Sequence, residues 1–237
     1  MINAEKTKFL IATNKTPDLT PLKIMTYSFE TVNRFKYLGT LISSHNDLKI
    51  EINNRIFMAN RSFYGVRNQL KSRFISVKTK LTIYKTLIRP IVTYGSECWT
   101  LNKNEEEKLL IFERKILRKI FGPTQENNMR RILYNHEIYK KYDKFGGTDI
   151  VRTIKASRIR WLGHLFRNPD ANPTKKVTFS RIEGTRRKGR PPTRWIDDVE
   201  RDLRFLGVNR WRAVAPDRAR WRGICESALA CKGLLCF

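Results

Sequence analysis

From Ile52 to Ser96 the chain carries no acidic side chain, yet Arg55, Arg61, Arg67, Lys71, Arg73, Lys78, Lys80, Lys85 and Arg89 stand among its apolar residues. Those apolar residues are spaced for helices. Ile52, Ile56, Ala59, Phe63, Val66 and Leu70 advance in steps of four and three, which aligns them on one helical face and leaves Arg61 opposite. The stretch therefore predicts packed helices whose solvent face has one sign of charge. A compact domain with so one-sided a field repels itself, and a polyanion would neutralise it.

The rest of the composition keeps that reading and narrows it. Forty-eight Lys and Arg against 22 Asp and Glu give a net charge of +26 over 237 residues, with a pI near 10.3. Basicity begins abruptly: residues 1–48 hold six basic and four acidic side chains, a net of +2, whereas residues 49–125 hold 16 and six, a net of +10. A hydrophobic content of 41% is enough for a core and excludes wholesale disorder. No run approaches the roughly 20 apolar residues of a membrane span, and Met1 to Thr13 lacks the apolar stretch of a signal peptide. An intracellular protein, nuclear or cytoplasmic, is expected. Cys98, Cys225, Cys231 and Cys236 form no paired C-x-x-C and lie far from His164, so reduced thiols are expected and no metal site.

Along the chain, residues 6–13 and 35–42 are short β-rich runs separated by Pro17, Asp18 and Pro21, predicting two or three strands. A helix follows from Asp47. A second opens at Ser76 as N-cap and buries Val77, Leu81, Tyr84 and Ile88 until Pro90 ends or kinks it. On its flank Lys78, Lys85 and Arg89 fall within about 40° at 100° per residue, a row that can follow a phosphate backbone. The third helix takes Asn104 and Glu107 as a capping box and stops at Gly122-Pro123. Leu109, Phe112, Ile116 and Ile120 face inward there, with Arg114, Lys115, Arg118 and Lys119 outward. A fourth helix is expected over about 126–143.

A fifth helix is capped by Asp149, with Ile150, Ile154, Ser157, Trp161 and Leu165 on one side and Arg152, Lys155, Arg158 and Arg160 around the rest. Residues 168–192 read as an exposed connector rich in Pro, Gly, Thr and Lys. Beyond it, Thr193 would cap a small module whose core is Trp195, Ile196, Val199, Leu203 and Leu206, with Gly207 as stop and a last helix from about Pro216. Within the connector, Arg186-Arg187-Lys188-Gly189-Arg190-Pro191 resembles an AT-hook, in which Gly permits close approach to a narrow minor groove. A nuclear-import signal, a phosphate-binding arm and a plain linker fit the same residues. Trp99, Trp161, Trp195, Trp211 and Trp221 sit at helical spacing among aliphatic residues, which favours core packing over base stacking. His164, without a carboxylate or nucleophile at a useful spacing, reads as a packed or capping histidine.

The segments FKYLGTLI, YKTLIRPIVTYGSECWTL, ERKILRKIFGP, RIRWLGHLFRNP, KGRPPTRWIDDVERDLRFLGV and DRARWR appear in this order. In sequence and order they resemble the region that follows the polymerase palm in non-LTR retrotransposon reverse transcriptases. The resemblance covers essentially residues 3–222. It implies that INAEKTKF is similar to the last palm motif, FKYLG to the strand near the primer-grip hairpin, the helices from about 47 to 122 to the thumb, and 126–222 to a helical C-terminal region. The implied fold is mainly α, a thumb-like helical bundle with a short N-terminal β remnant of the palm and a small C-terminal helical module. Its divisions are a palm remnant at 1–46, a thumb-like domain at 47–125, a helical connector at 126–167, a basic linker at 168–192 and a terminal module at 193–237.

The resemblance stops short of the chemistry. Polymerases of this kind hold two metal ions on palm aspartates, and the sequence has no aromatic-Ala-Asp-Asp turn. Its one Asp-Asp pair, Asp197 and Asp198, falls in the first turn of a helix, where the dipole suits a structural role. Lys6 resembles the palm lysine that assists pyrophosphate departure, but without aspartates it has nothing to assist. The expectation is thus a fragment that binds nucleic acid (an RNA–DNA hybrid, duplex DNA or RNA) without catalysis alone. No cofactor is expected, Mg²⁺ only with a complete palm, and neither a membrane nor a small-molecule substrate. The expected contacts are Arg61, Arg67, Lys78, Lys85, Arg89, Arg114 and Arg118, with Arg186, Arg187, Lys188 and Arg190 of the hook-like segment. Two alternatives remain: the end of a longer, active RNA-directed DNA polymerase, or a host-adopted basic DNA-binding or interaction protein.

Overall fold

The computed structural model describes residues 3, 6–13, 16–180 and 193–231, and the chain is mainly helical with small sheets near its N-terminus. Five short strands precede the helices, where two or three were expected. β1 (Lys8–Phe9) pairs in parallel with β3 (Tyr27–Thr31), which pairs antiparallel with β2 (Leu22–Ile24). β4 (Arg34–Tyr37) and β5 (Thr40–Ser43) form a hairpin in register Tyr37↔Thr40. FKYLGTLI is thus two strands and not one run, because Leu38 and Gly39 both take positive φ, the geometry of a two-residue hairpin turn.

α1 (Leu48–Gly65) follows the expected stripe, with Asp47 accepting from the Lys49 amide as N-cap. It breaks at Val66 and restarts as the short α2 (Arg67–Lys71). Arg55, the first cation of the acid-free stretch, is buried and not on the surface. Its Nε donates to Glu51 Oε1 at 2.5 Å, its Nη2 donates to the Gly39 carbonyl at 2.7 Å, and its guanidinium lies over the Tyr94 ring. Glu51 also accepts from the Leu41 amide, so this ion pair fastens the β4–β5 hairpin to α1. Lys80 is buried as well.

α3 (Val77–Ile83) starts on Ser76, whose hydroxyl accepts from the Thr79 amide, as expected. Pro90 does not end the helix. Proline has no N–H for the carbonyl four residues back and its ring crowds that carbonyl. The turn before it widens instead into a π-helical segment (Tyr84–Ile88), with the Arg89 amide bonded to the Tyr84 carbonyl, and α4 (Arg89–Thr93) continues. A 3₁₀ turn (Ser96–Cys98) leads to α5 (Lys103–Phe121). The capping box lies two residues earlier than expected, on Asn102 and Glu105, and Gly122 ends the helix at φ 71°.

The expected helix over 126–143 is a hairpin followed by a shorter helix. Asn127 and Asn128 both accept positive φ, which asparagine tolerates, and turn β6 (Thr124–Glu126) into β7 (Met129–Arg131). α6 (Asn135–Lys144) starts only after Tyr134, whose amide donates to Glu137. α7 (Ile150–Arg167) is capped by Asp149 and ends at Asn168, as expected. Part of the predicted connector is helical, because Asn172 and Pro173 form a good start for α8 (Pro173–Phe179). The apolar Phe179 explains the rest: it packs on Phe166 and Trp211. α9 (Trp195–Phe205) begins after Arg194, not Thr193. Gly207 stops it at φ 78°, and α10 (Trp211–Val214) and α11 (Arg218–Ala230) follow.

Two hydrophobic clusters hold these helices. One joins α1 to α6 and the start of α7, the last through Ile150, Val151 and Ile154. The other joins the rest of α7, through Ala156, Ile159 and Leu162, to α9, α10 and α11. α7 belongs to both, and it is buried apart from one stripe that carries Thr153, Ser157, Arg160, His164 and Arg167. Arg152, Lys155 and Arg158, expected on its outer side, are buried, because the helix's own cap supplies a carboxylate to the first and other helices supply them to the second and third. Arg152 pairs with Asp149, Lys155 with Glu106 of α5, and Arg158 with Asp198 of α9. Asp198 of the Asp-Asp pair is therefore half of a buried ion pair, while Asp197 pairs with Arg194. Trp99, Trp211 and Trp221 are core residues, whereas Trp161 and Trp195 are only partly covered. His164 is neither packed in the core nor a cap. It is exposed, with its ring stacked on Trp161. Among the described residues, no helix is long and apolar enough to cross a membrane.

Candidate nucleic-acid interface

The helices of the first cluster present cations on two flanks. On the first, Arg61 is exposed on α1, and Arg67, half-buried, lies near the Tyr64 ring at 6.0 Å. Lys115 of α5 reaches across to donate to Asn60 Oδ1 at 3.1 Å, with its ammonium 5.2 Å from the Tyr64 ring centre. These contacts hold the cationic heads by stem packing and ring faces and not by carboxylates, so their charge stays uncompensated by protein acids.

On the second flank the expected row divides. Lys78 is exposed near the start of α3. Lys85 and Arg89 lie half-buried against the loop that enters α7: Lys85 Nζ donates to the Gly146 carbonyl at 3.2 Å, and Arg89 Nη1 reaches the Thr148 carbonyl at 3.4 Å. Spacing at 100° per residue does not hold through the π-helical turn between them, so the row is not the straight line that α-helical geometry gives. Lys85 and Arg89 instead line a pocket of about 200 Å³ with Arg160 of α7, and Thr153 and Ser157 contribute hydroxyl-bearing walls. Burial and the neighbouring Arg89 charge push the Lys85 ammonium below its ordinary pKa. A bound anion would relieve that repulsion, and hydroxyls and guanidinium groups beside it are the donors a phosphate oxygen takes.

A buried carboxyl fixes this flank. Glu113 of α5 accepts from the Tyr84 hydroxyl at 2.8 Å and the Ile150 amide at 3.0 Å, tying the π-helical turn to the first turn of α7. Burial, and then the nearby Asp149 charge, push its pKa up to about 7. The carboxyl thus joins the turn that carries Lys85 to the start of the helix that carries Arg160.

The other expected contacts fall elsewhere. Arg114 does not face outward: it is buried and paired with Glu107 two turns back on α5. Arg118 is half-buried and donates to the Leu133 carbonyl and to Asn135 Oδ1, bracing the β6–β7 segment. Lys6 is exposed in a turn at the edge of the β region. Arg186, Arg187, Lys188 and Arg190 lie outside the described residues. Arg160 was legible only as one cation among several on its helix. Its partnership with Lys85 and Arg89 depends on how α7 docks, and no local pattern announces that. Among the described residues, no group of three or more His, Cys, Asp or Glu side chains is placed to hold a metal ion.

Comparison with known proteins gives one informative likeness. A transposon-derived protein of Caenorhabditis elegans is 29% identical over 235 residues, which cover 94% of this chain and 81% of that protein. A relative so named is consistent with a transposable-element origin for this chain. No protein-family model matches the chain, and no solved structure matches it.

Proposed function

We propose that this chain grips the sugar–phosphate backbone of nucleic acid through the cations of its first helical cluster, as the thumb of a non-LTR reverse transcriptase grips template-primer. The observation that carries this reading is the convergence of Lys85, Arg89 and Arg160 on one small pocket, continued by the exposed Lys78 on the same flank. Cations held without acid partners displace the counterions condensed on a polynucleotide, which gives affinity with little choice of sequence. The relative's transposon-derived name supports the same direction, since mobile elements copy or move nucleic acid.

Titration of duplex DNA and an RNA–DNA hybrid at several salt concentrations tests it. Log affinity is expected to fall steeply with log salt, and the Lys78→Gln/Lys85→Gln/Arg89→Gln variant should lower that slope by about two to three units, near 0.9 per lost phosphate contact. Lys85 and Arg89 also touch the 146–148 loop, so Arg61→Gln/Lys78→Gln, which alters only exposed side chains, serves as a second variant with an expected loss of one to two units, on the same ~0.9 per contact. A slope near zero in the unaltered protein would sink the electrostatic grip.

A further inference from the structure

α7 and α11 pack side by side, and the reason lies in two residues. A Cβ on Gly163 would come within 2.0 Å of Trp221 Nε1, so only glycine lets the indole lie against α7, where Nε1 donates to the Ile159 carbonyl at 3.0 Å. Along this seam runs an open groove of about 710 Å³. Arg160, His164 and Arg167 line it from α7 at positions i, i+4 and i+7, and Arg218 and Arg222 face them from α11 at i and i+4. Glu226 is its carboxylate. Arg167 is held in place by the Ala215 carbonyl at 2.7 Å, and among the described residues Arg160, Arg218 and Arg222 have no ion-pair partner. Arg160 also lines the small pocket of Lys85 and Arg89, so the two cavities share a wall.

We propose that this groove is a second site for a polynucleotide backbone, continuous through Arg160 with the Lys85–Arg89 pocket. The proposal rests on the reading of the chain as a nucleic-acid binder and adds a surface and a path to it. Two features favour a phosphate-rich ligand over mere solubility. Four guanidinium groups around one concavity focus their field into it, whereas cations kept for solubility spread over convex surface. All four cations are arginine, whose planar fork meets two phosphate oxygens at once, although lysine is plentiful elsewhere in the chain. On α11 the two arginines rise one turn apart, roughly 6 Å, so each can meet a different phosphate. The strand would run along the α7–α11 seam from Arg218 and Arg222 past Arg167 and His164 to Arg160, and from there to Lys85 and Arg89.

The groove is tested with the full chain and a fluorescent 20-base-pair duplex, an RNA–DNA hybrid and a single strand, each at four salt concentrations. Arg218→Gln/Arg222→Gln is expected to lower the salt slope by about two units, at ~0.9 per contact. Arg204→Gln/Arg210→Gln, which removes the same charge from exposed positions outside the groove, should leave it unchanged. Glu226→Gln should tighten binding several-fold, a gain that unfolding cannot imitate. Equal losses from the groove and control pairs, or no gain from Glu226→Gln, would overturn the groove while leaving the thumb-like grip intact. A flat salt response in the unaltered protein would overturn both. Whichever of the three probes loses most in the groove variant identifies the form of strand it holds.

Discussion

α7 and the α3–α4 segment look alike as sequences, since each interleaves basic residues with an apolar stripe and carries hardly an acid of its own. Folded, they are opposites. On α7, Arg152, Lys155 and Arg158 are interior groups neutralised by Asp149, Glu106 and Asp198, while on α3 and its continuation Lys78 stays exposed and Lys85 and Arg89 meet carbonyls, the Tyr142 ring and each other's charge, with no ion pair among the described residues. What separates structural charge from charge left for a ligand is therefore the position of carboxylates elsewhere in the chain, and not the basicity of the helix. Arg160 marks the boundary on a single helix: two residues beyond the buried Arg158, it faces outward into both cavities.

The sharpest way to break that contrast is to remove a carboxylate from the structural side. Asp198→Ala removes the close partner of the fully buried Arg158 and leaves it only Asp202 at 3.9 Å among the described residues, and two of its nitrogens already lack a hydrogen-bond partner. Breaking a buried pair in this way costs about 3–5 kcal/mol, so the urea midpoint should fall steeply. Arg158→Met/Asp198→Asn should recover much of the loss by removing the buried charge itself. A cost for Asp198→Ala below about 1 kcal/mol, the level of an exposed pair, would show that Arg158 is solvated and the contrast misplaced.

Local signals made much of the fold legible. The Ile52 to Phe63 part of the first stripe, the Ser76 and Asp149 caps, and the Gly122 and Gly207 stops each rest on nearby residues and each holds in the structure, although the stripe's continuation to Leu70 is divided at Val66. The failures share one cause, dependence on something distant or on backbone geometry that composition hides. Arg158 finds its carboxylate 40 residues away, and nothing near it in sequence distinguishes it from Arg160. The turns at Leu38-Gly39 and Asn127-Asn128 split expected single elements because two successive positive-φ residues reverse the chain. For the candidate interface, Lys78, Lys85 and Arg89 were readable as a set, but the π-helical turn that redirects two of them toward α7 was not.

Glu113 offers a smaller test of the hinge between the two regions, because it bonds the π-helical turn of one to the start of the other. Its folded pKa, about 7, lies above the 4.5 of an ordinary glutamate. A carboxyl raised in this way favours the folded state fully below pH 4.5, and the advantage is lost as pH rises through 7. Ionising the buried group costs on the order of 3 kcal/mol across that window, at about 1.4 kcal/mol per unit. Asp202, raised to about 6 chiefly by burial, acts in the same direction over the lower part of the range. Urea unfolding from pH 5 to 8 should show stability declining with pH, and Glu113→Gln should flatten most of the decline. An equally steep decline in Glu113→Gln would mean that the hinge carboxyl is hydrated and already ionised.

The smallest effect expected bears on the ligand side of the contrast. Arg61 and Lys78 have no carboxylate partner among the described residues and both are exposed, so their contribution to folding should be repulsive if anything. Arg61→Gln/Lys78→Gln should leave the urea midpoint within about 0.5 kcal/mol of the unaltered protein, or raise it slightly at low salt, where screening is weakest. The same variant is the one expected to lose one to two units of salt slope in nucleic-acid binding, at ~0.9 per contact. That combination, binding lost and stability kept, cannot come from a structural ion pair, whose removal would lower both. A fall in stability comparable to that of Asp198→Ala would place these cations with Arg158, as part of the fold and not of its grip.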